Sequence, residues 1–201
     1  EPESKLNRAI IARAHAAALE QVLEVLRRKV SVTGIGHSMG GMMIISQAAA
    51  HPVFDRVAVL GWANEPMVLG ETDVEELQAG LIPGGYLATH RKPMRKLFYW
   101  ADVPASLIEA DEAHASTTPA TLGVAALTPG IVHEDSAAIT VPVLVVQSTV
   151  DTSPKPDLEP GYFKAAASTE LQIVNDAAHC HNFAGTRNSH WQALDGWIDR
   201  S

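Results

Sequence analysis

Residues 32–43, VTGIGHSMGGMM, place a serine between closely spaced glycines directly after a run of β-forming residues. Ser38 is at the centre of a Gly-x-Ser-x-Gly pattern, with Gly36 two residues before it and Gly40 two residues after it. A serine on a sharp strand-to-helix turn has a strained backbone. Side chains at both flanking positions are expected to collide with the turn, which favours glycine there. The stretch therefore predicts a turn that holds a hydroxyl above the end of a strand.

The residues after the serine predict where an oxyanion would bind. A helix is expected from Ser38 to about Ala50, because Pro52 marks its end. The backbone N–H of Met39 would then lie at a helix N-terminus, where the positive end of the helix dipole stabilises negative charge. The alternative is an ordinary glycine-rich turn or a phosphate cradle. A P-loop is excluded because no Gly-Lys-Ser/Thr follows, and the dinucleotide fingerprint fails because its last glycine comes one place late, at Gly40.

The rest of the chain alternates strand and helix patterns. Apolar residues at helical spacing predict a first helix over residues 4–28, with one apolar side made of Ile11, Ala14, Ala18, Val22 and Val25. Further elements are predicted as strands over 30–35, 56–60, 141–146 and 171–174 and a last helix over 189–198. The order predicts an α/β fold, in which helices cover both faces of a mostly parallel sheet.

The stretch between residues 67 and 138 differs from the rest. It contains no clean strand pattern, its glycines and prolines are frequent, and short helical pieces separate them. We therefore expect a mainly helical cap at 67–138, inserted into a core formed by residues 1–66 and 139–201.

Composition restricts the class of protein. The chain has 201 residues, of which 46% are hydrophobic and 19% charged, as in one globular domain. A net charge of −8 without long like-charge runs argues against a nucleic-acid partner and for a soluble protein. No apolar stretch reaches the roughly 20 residues needed to span a bilayer, so no transmembrane segment is expected. Cys180 is the single cysteine, so no intramolecular disulfide can form. Cysteine usage therefore does not indicate whether the protein belongs to an oxidising or a reducing cellular compartment.

A serine hydroxyl becomes a nucleophile only when a base takes its proton and a carboxylate orients that base. The expected chain order is serine, acid, histidine. Asp151 ends the strand-like run VPVLVVQSTVD, and Glu65, which follows the strand at 56–60, is the alternative acid. His179 lies in the loop after the last predicted strand and is the preferred base. His181, two residues later, remains an alternative.

Several other reactive or aromatic side chains are expected to pack, to hydrogen-bond or to line a substrate pocket. His37 is expected to pack or to hydrogen-bond beside the turn. Cys180 is expected to be a buried small hydrophobe, because no second base is placed for it. Asp176 is too close in the chain to His179 to orient its ring. Candidate substrate-pocket residues are His37, Trp62, Phe98, Tyr99 and Trp100.

Three segments carry a resemblance to a known family. GHSMGG resembles the nucleophile turn of the α/β-hydrolase superfamily, VPVLVVQSTVD its acid strand and IVNDAAHCHNF its histidine loop. The resemblance implies a Ser38–His179–Asp151 triad that cleaves a carboxylic ester, thioester or lactone through an acyl-enzyme, with the Met39 N–H receiving the oxyanion. It implies no metal and no organic cofactor. Acyl transfer or C–C bond hydrolysis on the same triad is an alternative, as is a binding protein of this fold with a vestigial triad.

The chain departs from the family before the nucleophile turn. Family members usually place about half of their sheet, and the loop that gives a second oxyanion N–H, ahead of that turn. Only one helix is predicted there, ahead of the strand at 30–35. We therefore expect the N-terminal strands to be absent from this chain and a separate N-terminal fragment to complete the sheet and the oxyanion hole as a partner. The alternatives are an N-terminal half continuous with this chain and a naturally half-sized hydrolase.

Overall fold

A computed structural model describes residues 3–73, 85–88 and 91–200 of the chain. Within these residues the strands are β1 (Thr33–His37), β2 (Arg56–Leu60), β3 (Tyr86–Ala88), β4 (Thr117–Pro119), β5 (Val143–Val150) and β6 (Thr169–Ala178). The helices are α1 (Arg8–Leu26), α2 (Met39–Ala50), α3 (Arg95–Phe98), α4 (Ala105–Ala113), α5 (Ala120–Ala126), α6 (His133–Ala138) and α7 (Arg187–Ile198).

The main sheet is parallel, in the order β1–β2–β5–β6. Its central strands are apolar runs, and the first six residues of β5 are all buried, as expected for a strand covered on both faces. One face packs against α2 through a core that includes Met42, Ile45 and Val59. The other face packs against α7 through Leu194 and Trp197. This arrangement confirms the predicted α/β fold class.

The contact face of α1 differs from the prediction. Asn7 caps the helix by accepting a hydrogen bond from the backbone N–H of Ile10. The buried residues are Ala12 and Ala16, whereas Val22 and Val25, on the predicted apolar side, are 55% and 79% exposed. Small alanine side chains let α1 approach α2 closely, so packing selects the alanine face over the side with larger apolar residues.

Strand β1 forms one edge of the sheet. Ile35 is 46% exposed, although Ala58, its partner in register on β2, is fully buried. The described residues before Thr33 form α1 and a short 3-10 turn and contain no strand. The further strands that the family usually places before this one are thus absent from the described part of the chain, as predicted.

The segment 67–138 contains one feature that the sequence did not suggest. Strands β3 and β4 pair in an antiparallel manner, although each has only three residues. A small core of Leu69, Met94 and Leu97 lies in this segment. Leu122 and Val132 belong instead to the main core beneath the sheet. Residues 74–84 and 89–90 of the predicted cap lie outside the described residues.

Among the described helices, none is both long enough and apolar enough to cross a membrane.

Candidate active site

Ser38 is the residue that joins β1 to α2. Its backbone has φ 56° and ψ −125°, a conformation that side-chain-bearing residues rarely adopt. The Ser38 N–H donates to the carbonyl of Leu60 at 2.8 Å, which ties the turn to the neighbouring strand. A Cβ added at Gly36 would lie 2.2 Å from the carbonyl oxygen of Gly40, so only glycine fits there.

The expectation of a second clash at Gly40 is wrong. A Cβ added at Gly40 meets no atom within 4 Å, because that position points into open space at the start of α2. The tight position after the serine is Gly41, where an added Cβ would lie 2.8 Å from Cβ of Trp62. The turn therefore requires glycine where its backbone folds back on itself and where α2 meets the loop after β2.

Ser38, His179 and Asp151 form one hydrogen-bonded chain. The Ser38 Oγ lies 2.9 Å from His179 Nε2, and His179 Nδ1 lies 2.7 Å from Asp151 Oδ1. His179 and Asp151 are both buried. A carboxylate accepts hydrogen bonds, so the proton of the neutral ring resides on Nδ1 and the Nε2 lone pair faces the hydroxyl of Ser38. This orientation is the one required to take a proton from the serine.

The Asp151 carboxylate is held in its charged form. Burial by itself would raise its pKa, but hydrogen bonds from His179 and His181 outweigh that effect and hold the pKa well below its usual range. The backbone N–H groups of Ser148 and Thr152 also donate to it, at 3.0 and 2.8 Å. A buried carboxylate with these donors can stabilise a positive charge on the neighbouring ring.

Glu65, the alternative acid, is directed elsewhere. Its Oε1 accepts a hydrogen bond from the hydroxyl of Tyr162 at 2.5 Å, and its Oε2 lies 3.7 Å from Nζ of Lys155. The ring nitrogen of His179 that a triad acid would contact is paired with Asp151. The geometry therefore favours Asp151 as the partner of His179.

Two further histidines lie close to the pair formed by His179 and Asp151. His181, the alternative base, contacts Asp151 Oδ2 through its Nε2 at 2.8 Å. His37 lies beside His179, and its Nε2 is 2.7 Å from the backbone carbonyl oxygen of His179. Burial, followed by the nearby His179, lowers the pKa of His37 to about 4. His37 is thus neutral near pH 7 and donates to the loop that carries His179.

Glu159 is a buried residue that the sequence did not point to. Its carboxylate accepts from the Asn64 N–H at 2.8 Å and from the Ser153 hydroxyl at 2.7 Å. Burial raises its pKa, although these hydrogen bonds oppose the rise. Glu159 thereby joins the loop after β2 to the loop after β5, which begins with Asp151. No motif surrounds it, so only its three-dimensional contacts reveal this role.

A cavity of about 340 Å³ opens beside Ser38 and His179. Most of its lining is apolar, including Met67, Leu69, Leu87, Met94, Phe98 and Leu127. Met39, the first residue of α2, also lines the cavity, and N–H groups in the first helical turn have no acceptor within the helix. The cavity is therefore positioned to hold a substrate against the serine hydroxyl.

The predicted pocket residues are only partly brought to this cavity. Trp62 and Phe98 line it, and the Phe98 ring stacks on the His179 ring with centroids 5.4 Å apart. His37, Tyr99 and Trp100 are not among its lining residues. The Tyr99 hydroxyl instead donates to Asp111 at 2.5 Å.

Cys180, which follows His179 in the chain, is a free cysteine and is half-buried. Burial raises the pKa of the Cys180 thiol to about 12, so it stays protonated and unreactive near neutral pH. In the described ranges, no group of three or more His, Cys, Asp or Glu side chains is arranged to hold a metal ion.

The fold and this site define a class of protein. A model of the alpha/beta hydrolase family matches residues 6–191. The chain belongs to the alpha/beta hydrolase family. This confirms the expected superfamily and the expectation that the protein is a hydrolase.

Solved structures agree on the fold. A monoacylglycerol lipase from Paleococcus ferrophilus is 20% identical, with a TM-score of 0.68 over 93% of this chain and 74% of that one. A thermophilic esterase from Thermogutta terrifontis is 16% identical, with a TM-score of 0.68 over 96% and 72%. A structure of the metagenome-derived lipolytic enzymes LipS and LipT is 15% identical, with a TM-score of 0.66 over 99% and 76%. No curated protein sequence matches the chain.

Proposed function

We propose that this chain carries the catalytic residues of a serine hydrolase that cleaves a carboxylic ester, thioester or lactone. The observation that supports it most is the chain of hydrogen bonds from Ser38 through His179 to Asp151, at 2.9 and 2.7 Å. All three side chains occur in the order that this family uses. The ester-cleaving activities named for the similar lipase and esterase structures favour the same chemistry.

The proposed reaction has two halves. Ser38 Oγ attacks the carbonyl carbon of the substrate while His179 Nε2 takes the serine proton, and Asp151 stabilises the resulting imidazolium. The negative carbonyl oxygen is received by the N–H of Met39. The protonated Nε2 then gives its proton to the departing alcohol or thiol, which leaves an acyl group on Ser38. In the second half, water attacks that acyl carbon, His179 takes the water proton, and the acid leaves as Ser38 regains its hydrogen.

The cavity favours an uncharged, apolar acyl or alcohol group. Its described lining contains no Asp, Glu, Lys or Arg side chain, so a charged group would enter without a partner. Leu69, Leu87 and Leu127 of the segment 67–138 contribute to the wall. We propose that this segment acts as the cap that selects the substrate.

We further propose that an N-terminal fragment completes this enzyme. Strand β1 is an edge strand with an exposed Ile35, a surface that favours pairing with another strand. Among the described residues we assign one oxyanion donor, the N–H of Met39, and the lack of a second donor typically costs about 100-fold or more in rate. The intact mass of the purified protein under denaturing conditions tests this proposal. A second polypeptide is expected, and a single active species, whether of this chain's mass or of a longer chain that contains it, would contradict the proposal.

The hydrolase proposal is tested with p-nitrophenyl esters from acetate to octanoate, together with a thioester and a lactone. We expect turnover by the wild type, in the presence of any fragment that travels with it, and loss of that turnover in Ser38→Ala. Unchanged turnover in Ser38→Ala would refute the role of the serine. A second set of reactions contains an added alcohol. Formation of an ester between the acyl group of the substrate and that alcohol would indicate acyl transfer. A folded wild type that binds these compounds without turning them over would instead indicate a binding protein.

A further inference from the structure

The carboxylate of Asp151 receives two imidazole rings at once. Oδ1 pairs with His179 Nδ1 at 2.7 Å, and Oδ2 pairs with His181 Nε2 at 2.8 Å. The N–H of His181 donates to the carbonyl of His179 at 3.0 Å, so a tight turn brings the two rings to one carboxylate. The proposed mechanism uses the first of these contacts and leaves the second without a role.

The second contact has a fixed direction. A carboxylate only accepts, so His181 must donate from Nε2, and the lone pair of the neutral ring is then on Nδ1. That Nδ1 is buried and has no hydrogen-bond partner among the described residues, while the whole side chain is 1% exposed. An unpaired buried nitrogen is unfavourable, and an apolar side chain would fill this space without that cost. The contact with Asp151 is therefore the feature that distinguishes His181 from a packing residue.

We propose that His181 is a positioning residue for the reaction. Its hydrogen bond acts together with the Ser148 and Thr152 N–H groups to hold the plane of the Asp151 carboxylate, so that Oδ1 meets His179 Nδ1 while His179 Nε2 faces Ser38. This inference rests on the proposed function of Ser38, His179 and Asp151.

The other titratable groups around His181 lie on several elements. His190 on α7 meets the His181 ring edge-on at 5.5 Å, and His37 meets it at 5.2 Å. Burial lowers the pKa of each to about 4, and burial raises that of Cys180 to about 12. Near neutral pH all three groups are therefore uncharged, and none of them adds a charge beside His181.

The test compares two substitutions of His181 during turnover of a p-nitrophenyl ester by the wild-type assembly. His181→Leu removes the donor, so kcat should fall about tenfold to a hundredfold with KM within about twofold. His181→Gln keeps an N–H able to reach Oδ2 and should restore kcat to near wild type.

His190→Leu is the matched control, because it removes another buried ring beside His181 without touching Asp151. It should leave kcat and KM unchanged. If His181→Leu does not fold, His181→Asn replaces it, because its shorter amide falls short of Oδ2. A folded His181→Leu or Asn protein with wild-type kcat, or a Gln variant as impaired as Leu, would overturn the positioning role. Turnover by Ser38→Ala would instead overturn the proposed function itself.

Discussion

Replacing Gly36 by alanine tests the geometry of the nucleophile turn directly. The added Cβ would lie 2.2 Å from the Gly40 carbonyl oxygen, 2.6 Å from its carbonyl carbon and 2.9 Å from the Gly41 nitrogen. All three are backbone atoms, so no side-chain rotation relieves the clash. Because non-bonded heavy atoms settle at about 3.5 Å, the turn must open by roughly 1 Å. A displacement of that size at a reacting atom costs about 100-fold in rate, and overpacking costs about 1–3 kcal/mol of stability.

Gly40→Ala is the matched control for this substitution. Its added Cβ meets no atom within 4 Å, so activity should stay near wild type. Alanine also favours the helical backbone of α2 over glycine by up to about 1 kcal/mol. Urea unfolding and turnover of a p-nitrophenyl ester should therefore separate the two variants. Equal effects at Gly36 and Gly40, in either assay, would refute the steric argument.

Three further measurements follow from the site. Asp151→Asn should lower kcat by about 10⁴-fold, whereas Glu65→Gln should stay within about threefold because Glu65 pairs with Tyr162; similar losses would reverse the choice of acid. Below pH 6.5 His37 binds a proton in the unfolded chain, but it stays neutral in the native protein, where its pKa is lowered to about 4. The free energy of unfolding should therefore fall between pH 6.5 and 4, by at most about 3 kcal/mol from this group, and less steeply in His37→Asn. Leu127→Glu puts a charge in the apolar cavity, so kcat/KM should fall more for an octanoate than for an acetate ester.

Local rules predicted the parts of the structure that depend on short sequence spans. The turn at Ser38 follows from its flanking glycines and the strand before it, and the parallel sheet follows from strand patterns that alternate with helix patterns. Asp151 and His179 could be placed near the serine because the carboxyl ends of parallel strands share one edge of the sheet. Their roles in catalysis stay predictions.

Features that arise from tertiary packing could not be predicted in this way. The buried side of α1 differs from the predicted one because close helix contact favours Ala12 and Ala16 over the larger Val22 and Val25. The pairing of β3 with β4 is not predictable from the sequence, because three-residue strands are too short to show an alternating pattern. The contact of His181 with Asp151 depends on one tight turn after His179.

Covalent trapping with a fluorophosphonate tests most directly whether Ser38 is a nucleophile activated by His179. The reagent labels a serine only when a base takes its proton, and mass spectrometry of the digested protein locates the adduct. We predict one adduct, on the peptide that contains Ser38, and labelling slowed at least 100-fold in His179→Ala. An adduct on another residue, or labelling of Ser38 at an unchanged rate without His179, would contradict the proposed triad.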